Sequence, residues 1–298
     1  MMRQYLTLSL VALLAACGDG QPFDFTDGDE SADADTSEDN YYADDLNEDL
    51  TMNALIYNEG DPNDPTDDTL TVNNLPFDGS DIDEGAYDKT TATAGSYDVY
   101  ESVGAGQGGD RTYFAVFRRT SNSQVAAVGT GDYIGFGFGG ATAQRLGNTN
   151  LPSDGEYTYT GEYAAVRITT ADGGTDDVEF VSGDVTMNVD IADFDETGAV
   201  EGIIDDRILY DNTGTQIGTI DGYISLATAQ IDFENEATLS STAIAIENGE
   251  EIAIGNWQAV FTGPDGEEIA GFLVIEGTES DDPNSDEMRE TGVFIAFD

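Results

Sequence analysis

The chain has 298 residues, and nine Lys plus Arg face 61 Asp plus Glu, a formal net charge of -52 at pH 7. An anionic excess of that size repels nucleic acid and anionic lipid headgroups, so neither is an expected partner. There is no histidine and one cysteine, Cys17, which excludes His-based triads, His-ligated zinc or haem, thiolate cages and intramolecular disulfides by inventory alone.

Residues 1–16 carry one positive charge, Arg3, followed by the apolar run LTLSLVALLAA, which is too short to span a bilayer as a helix and reads as a signal peptide. The run ends in Leu14-Ala15-Ala16-Cys17. Small residues followed by the chain's one cysteine resemble the lipobox of bacterial lipoproteins. That resemblance implies cleavage before Cys17 and acylation of its thiol and new N-terminus, a palmitate-type anchor in the lipid bilayer; the alternative is an ordinary signal with a chance cysteine. Several acyl chains make such an anchor stable, because each buried methylene contributes about 0.8 kcal/mol and one chain alone is marginal. Gly18 stands where, by the same resemblance, an Asp would retain the protein in the inner membrane, so the expected location is the outer membrane of a Gram-negative bacterium.

Residues 19–50 hold 13 acids and no Lys or Arg. Such a stretch cannot bury enough apolar surface to offset chain entropy, and residues 17–50 are expected to be a lipidated, disordered, self-repelling tether. Phe23, Phe25, Tyr41 and Tyr42 are its aromatic exceptions, read as scattered linker aromatics or, alternatively, as a docking motif.

From residue 51 onward, short alternating segments are separated by Gly, Asp, Asn and Pro, the strand-and-turn pattern, and no helix is expected. Candidate strands in a first β subdomain, residues 51–150, are 51–57, 69–75, 96–102, 111–119, 124–129 and 132–139. A second block follows. In DVEFVSGDVTMNVDI, Val181, Val185, Met187, Val189 and Ile191 share one parity, while Ser182, Asp184, Thr186, Asn188 and Asp190 share the other, as a strand with one dry and one wet face requires. The alternation continues through GEYTYTGEYAAVRI, GAVEGII, IGTIDGYISL, AQIDFEN, TAIAI, GNWQAVFTGP, EIAGFLVIEG and RETGVFIAFD. Eight or so such strands suit a closed antiparallel barrel over residues 151–298, which leaves no open edge. The expected fold is therefore all-β: a small N-terminal sheet followed by an eight-stranded barrel.

The order of motifs in that block, GEYTYTGEY, then Phe261, Gly263, Pro264, Ile269, Gly271 and Phe272 around an aromatic-Gly-Pro turn, then Gly292 and Phe294 in the closing strand, resembles the transferrin-binding protein B and factor H-binding protein superfamily of surface lipoproteins. The resemblance covers residues 155–298. It implies a barrel that binds a protein or nutrient-carrier ligand, delivered to the cell surface by a lipoprotein translocator. A barrel of eight strands is filled by its own side chains, so such a surface belongs on loops, with 171–177, 211–216 and 277–287 as candidates.

Other motifs weigh less. GAGQGG (Gly104, Gly106, Gly109) and GFGFGG (Gly135, Gly137, Gly140) satisfy a dinucleotide spacing, but neither opens a helix after a strand; the first reads as a hairpin loop and the second as a bulged or close-packed strand. Oxygen ligands gather at Asp61, Asn63, Asp64, Asp67 and Asp68, and again at Asp281, Asp282, Asn284, Asp286 and Glu287, so these loops are candidate calcium sites, though neither has the EF-hand spacing. Trp257 suits a core or rim position, with a sugar-stacking platform as the alternative. No carboxylate pair stands out for catalysis and no cofactor is expected. The leading reading is a surface-anchored binding lipoprotein, not an enzyme. Its rival is a structural envelope lipoprotein with a salt-adapted acidic body and no dedicated ligand.

Overall fold

Backbone pairing divides the strands into two sheets. The computed structural model describes residues 40–42, 52, 54–61, 63–64, 66–73, 85–102, 111–133, 135–170, 177–191, 197–282 and 285–298. The signal peptide, Cys17, most of the tether with Phe23 and Phe25, and the GAGQGG loop lie outside the described residues.

Among the described residues every regular element is a strand. The first sheet holds β1 (Asn40–Tyr42), β2 (Ala54–Asn58), β3 (Thr69–Asn73), β4 (Ala86–Ala94), β5 (Tyr97–Ser102), β6 (Phe114–Arg119), β7 (Ser123–Gly129) and β8 (Gly140–Arg145). Strands β2 to β8 form an antiparallel meander, and β1, from within the stretch expected to be a tether, adds to the far edge by pairing Asn40 with Gln144.

The second sheet holds β9 (Gly155–Thr169), β10 (Asp177–Ile191), β11 (Ala199–Asp211), β12 (Gln216–Thr219), β13 (Tyr223–Asp232), β14 (Ala237–Thr238), β15 (Ser241–Glu247), β16 (Glu250–Thr262), β17 (Glu268–Thr278) and β18 (Glu287–Phe297). Starting at β9, antiparallel pairing runs through β10, β11, β13, β15, β16, β17 and β18, and β18 pairs back onto β9. That ring is the expected eight-stranded barrel. The short β12 hangs on β11, and β14 bridges β13 and β16.

Alternation decides what fills the ring. The odd-numbered apolar residues of β10, Val181 through Ile191, are buried with Tyr159, Tyr163, Trp257, Phe261, Leu273 and Phe294 in the barrel interior. Trp257 is fully buried, and its indole N–H donates to the Ala227 carbonyl at 3.0 Å. It is core, with no face free to stack on a sugar.

The wet face of β10 holds only along part of the strand. Asp184 and Asn188 are exposed, but Phe180 and Ser182 are buried, because the first sheet covers the outer wall of the barrel here. Val99, Val116, Val125 and Ala127 of the sheet pack with Ala164, Val166, Ile168, Phe272, Val293 and Ile295 on the outside of β9, β17 and β18. These three barrel strands are apolar on both faces, inward to the barrel core and outward to the sheet. On its other side the sheet closes over a core of its own, with Met52, Leu70, Tyr87, Tyr100 and Phe117.

Polar groups fasten the two bodies. The buried Glu268 carboxylate accepts hydroxyl hydrogen bonds from Thr120, Ser123 and Thr262, and Arg145 of β8 donates to the Phe261, Asn235 and Glu236 carbonyls at 2.8, 3.0 and 3.1 Å.

Two local expectations are corrected. Residues 132–139 are not a strand: the described part is a chain of bends ending in an isolated bridge residue, with Gly135 and Gly137 at φ of 81° and 62°, conformations open to glycine but unsuited to a ladder. The strand starts at Gly140 instead. Strand β4 had no counterpart among the sequence candidates.

Candidate functional site

The pairing Asp177↔Thr169 and Thr278↔Glu287, joined through Thr169↔Met288, puts the strand ends that flank 171–176 and the ends of the 277–287 loop at one end of the barrel. The 211–216 turn stands at the same end, since Asp211 pairs with Glu179. The structure thus brings the 211–216 turn, the described part of the 277–287 loop and the strand ends Thr169 and Asp177 to one end of the barrel, while residues 171–176 and 283–284 lie outside the described residues.

Beneath these loops the barrel interior turns from apolar to charged. Arg167 on β9 has the inward parity of Tyr163 and Ala165, and its ladder neighbours are Glu179 on β10 and Glu290 on β18. Arg167 Nε lies 3.8 Å from Glu179 Oε2, and Nη2 lies 3.6 Å from Glu279 Oε1 while donating to the Glu279 carbonyl at 3.3 Å. Burial pushes the Glu179 carboxyl above its ordinary value, against the pull of Arg167.

Arg207 reaches the same interior through a bulge. Val200 and Ile204 of β11 face inward at even positions, and pairing slips between Ser182 and Asp184 of β10, where Asp206 adopts φ of 49°. The extra residue reverses the parity, so Arg207 and Leu209 point in at odd positions; re-aiming a side chain is a usual consequence of a bulge. The Arg207 guanidinium then forms a buried ion pair with Glu290 Oε2.

The other oxygen of Glu290 accepts the Tyr163 hydroxyl at 2.7 Å. Gly292, two residues along β18, makes that possible, because a Cβ there would stand 2.1 Å from the Tyr163 oxygen. Desolvation, reinforced by Glu290, raises the Tyr163 phenol well above its ordinary value. Every carboxylate of this cluster faces a guanidinium or a hydroxyl, so it braces the loop end and leaves no free acid and base facing each other.

The loops above differ in freedom. Asp211 ties its own turn, accepting from Thr213 N–H at 2.9 Å, Thr213 Oγ1 at 2.6 Å and Thr215 N–H at 2.9 Å, which holds its carboxyl below the ordinary range. At the tip Gly214, at φ of 80°, sits so close to the first sheet that a Cβ would meet Ala92 Cβ at 2.7 Å. This turn is packed against the sheet. The 277–287 loop is exposed at Asp281, Asp282, Asp286 and Glu287 and is tied to the β15–β16 turn, with Asn248 Nδ2 donating to Asp281 Oδ2 at 3.0 Å and Asp281 N–H to Glu247 Oε2 at 2.7 Å.

Several of the calcium candidates are engaged in local hydrogen bonds, and Asn284 lies outside the described residues. Asp61 accepts from the Asn63 amide and side chain at 3.0 and 2.9 Å, Asp64 from Thr66, Asp67 from the Asp61 N–H, and Asp68 from the Gly60 N–H at 3.1 Å. Asp281 faces Asn248, and Asp286 gives only its carbonyl to the Glu279 N–H. Among the described residues no group of three or more acids is arranged to hold a metal ion.

The residues that sequence reasoning missed are Arg167, Arg207, Glu179 and Glu290. For two of them a signal was present, since Arg167 shares the parity of Tyr163 and Ala165, and Glu290 that of Gly292 and Phe294.

No family model and no curated protein matches the chain. Solved structures do. A point mutant of transferrin binding protein B from Haemophilus parasuis Hp5 is 15% identical with a TM-score of 0.35, over 72% of this chain and 39% of that one. A structure described as a surface lipoprotein is 15% identical with a TM-score of 0.35, over 61% of this chain and 79% of that one. Intact Ap-TbpB, with N and C lobes, gives 14% identity and a TM-score of 0.36, over 76% of this chain and 43% of that one. This chain thus spans about two fifths of the H. parasuis protein. The architecture of this chain stands on the strand pairing described above.

Proposed function

We propose that this chain is a lipoprotein anchored through acylated Cys17 in the outer membrane of a Gram-negative bacterium, displayed on the cell surface, where it binds a protein or nutrient-carrier ligand and catalyses no reaction. A translocator for surface lipoproteins would deliver it there. The observation that carries the binding surface is the filled barrel: aromatic side chains and the Arg207–Glu290 pair occupy the interior up to the loop end, so a ligand would engage the loops, the 277–287 loop foremost because the 211–216 turn is packed on the first sheet. The rival, a structural envelope protein with no ligand, draws on the acid excess of the surface.

Two linked experiments test the proposal. Protease added to intact cells should cleave the protein at the surface, and a partner cross-linked to the wild type should be lost when the tip of the 277–287 loop is shortened while the thermal midpoint is kept. Protection of the chain on intact cells, or a partner retained after all three loops are trimmed, would overturn the surface display or the loop interface respectively.

A further inference from the structure

Strand β15 points its larger side chains away from the barrel core. Ala243 and Ala245 face inward, whereas Ile244 and Ile246 point out. The ladders carry this outward set across three more strands. Ile244 pairs with Ser225 of β13 and with Ile254 of β16, Ser225 pairs with Ile203 of β11, and Ile246 pairs with Tyr223. Ile203, Ile244 and Ile254 therefore share one row and Tyr223 and Ile246 the next, a strip about 14 Å across at strand spacings of about 4.8 Å.

These side chains are not core. Ile254 is 50% exposed and Tyr223 37%, and Ile203, Ile244 and Ile246 are partly exposed. An antiparallel sheet with one wet face normally alternates apolar inside and polar outside. Strands β9, β17 and β18 depart from that rule because the first sheet covers their outer face, but the strip on β11, β13, β15 and β16 departs from it facing water. Apolar residues exposed singly need no explanation, whereas a contiguous group marks an interaction surface.

The charge around the strip has one sign. From residue 199 to residue 262 there is one cation, Arg207, against eleven acids, and Arg207 is buried inside the barrel with Glu290. Asp205 stands two residues beyond Ile203, Asp221 two before Tyr223, and Glu251 opposite Ile246; all three are exposed. Glu276, opposite Ile254, is bound to Arg289 at 2.7 Å and closes the strip toward the first sheet.

We propose that this strip docks a cationic amphipathic helix of a partner protein, its apolar face on Ile203, Ile244, Ile246 and Ile254 and its flanking lysines or arginines against Asp205, Asp221 and Glu251. The closed pairing of β11, β13, β15 and β16 leaves no free strand edge here, so a partner meets side chains rather than backbone, as an amphipathic helix does. About ten helical residues span about 15 Å, which matches the strip. The rim selects against other occupants: a second copy, the acidic residues 19–50 of this chain and an anionic bilayer all carry its own sign. This wall is separate from the loop surface proposed above, so either can fail without the other.

Interferometry on the full chain in phosphatidylcholine nanodiscs, with empty nanodiscs as the blank, tests it with three synthetic peptides of about 14 residues. One carries Leu along a single helical face and Lys elsewhere, one has the same residues reordered so that the leucines share no face, and one has Glu in place of Lys. The first should bind saturably, the reordered peptide of equal charge about tenfold more weakly, and the Glu peptide not at all. Ile244→Thr with Ile254→Thr should weaken the first peptide about tenfold at an unchanged thermal midpoint, because apolar contact is lost and charge is not. Ile254→Val should keep the affinity, as should Phe138→Ser at an exposed apolar position outside the strip and a shortened 277–287 loop. Equal affinity of the two Lys peptides, or of wild type and the double Thr variant, would reduce the binding to diffuse charge attraction and overturn the proposal. Loss of the first peptide on shortening the loop would overturn it too, as would a dimer that forms without peptide and dissociates in the double Thr variant, which would give the strip to a second copy.

Discussion

Inside the barrel the Tyr163 hydroxyl donates to Glu290 at 2.7 Å, passing over position 292, where only a residue without a Cβ leaves room. One oxygen of Glu290 is thereby occupied by a neutral donor and the other by Arg207. The carboxylate is fully buried yet satisfied on both sides.

Gly292→Ala should therefore destabilise the protein by about 1–3 kcal/mol, the usual cost of overpacking a dense core. Tyr163→Phe should cost a similar amount, about 1–3 kcal/mol, by leaving a charged acceptor short of one donor. Urea unfolding of both variants and the double variant checks this. Since the alanine methyl clashes with the Tyr163 oxygen, the double variant should cost less than the two single effects added together, and strict additivity would show that the two residues do not interact.

Breaking the ion pair should be worse than replacing it. Arg207→Ala leaves Glu290 buried without its cation and should cost about 3–5 kcal/mol, whereas Arg207→Met with Glu290→Leu should cost less, about the 1–3 kcal/mol of a Tyr163 hydroxyl left without its acceptor. The comparison is read from denaturation midpoints at a common pH. A double variant as damaged as the single one would mean that the pair contributes much more than its own desolvation.

The register of β10 is tested by neighbours. Val189 is 2% exposed in the barrel core, and the adjacent Asn188 is exposed, accepting from Thr158 Oγ1 at 3.3 Å. Val189→Asp should cost several kcal/mol, on the order of the penalty for an unpaired buried carboxylate, and Asn188→Asp should stay within about 0.5 kcal/mol of wild type. Equal effects would place the strand in the wrong register.

High pH should unfold the protein in one step. Burial raises the phenols of Tyr57, Tyr97, Tyr100, Tyr159 and Tyr163 above the ordinary value of 10.0. Between the unfolded and folded values the native state holds protons that the unfolded chain has released, so stability is intact below pH 10 and falls as pH rises beyond it. Phenolate absorbance should jump together with the loss of the β-sheet circular dichroism signal. Smooth ionisation of these five residues near pH 10 in a folded protein would contradict their burial.

Much of this architecture was legible because alternation was clean. Val181 through Ile191 displayed one parity of apolar residues, and the strands ending in Thr262 and Phe297 kept theirs. Strands β4 and β8 were not legible, because AYDKTTATA and GATAQR are built of small and polar residues; β8 is nonetheless buried throughout, since its neighbours and the barrel wall cover it. GFGFGG looked like a strand from its aromatic alternation, while the positive φ of Gly135 and Gly137 turns the chain instead. The Arg207–Glu290 pair was hidden for a different reason. Its inward aim depends on a one-residue bulge at Asp206, and nothing in a linear pattern marks where parity reverses.

Salt should stabilise the body of the protein. Removing Arg3 with the leader leaves eight of the nine cations against 61 acids, so most carboxylates repel one another without compensation. The Debye length falls from about 30 Å at 0.01 M to about 8 Å at 0.15 M and about 3 Å at 1 M. The thermal midpoint should climb with NaCl past physiological strength, and calcium should act no differently from magnesium at matched ionic strength, because among the described residues no three acids are grouped to hold one ion. A midpoint indifferent to salt would contradict uncompensated repulsion, and a calcium-specific rise would restore a site at Asp61 or Asp281.

Everything proposed about where the protein works rests on Cys17. Among the described residues no helix is long and apolar enough to cross a membrane, and the one cysteine follows a small-residue cleavage pattern. Cells expressing the full chain should therefore be grown with labelled palmitate and the protein recovered from washed membranes. Label in the wild type that disappears in Cys17→Ser, together with release of the variant from the membrane, is the expected result; an unlabelled wild type recovered in the soluble fraction would contradict it.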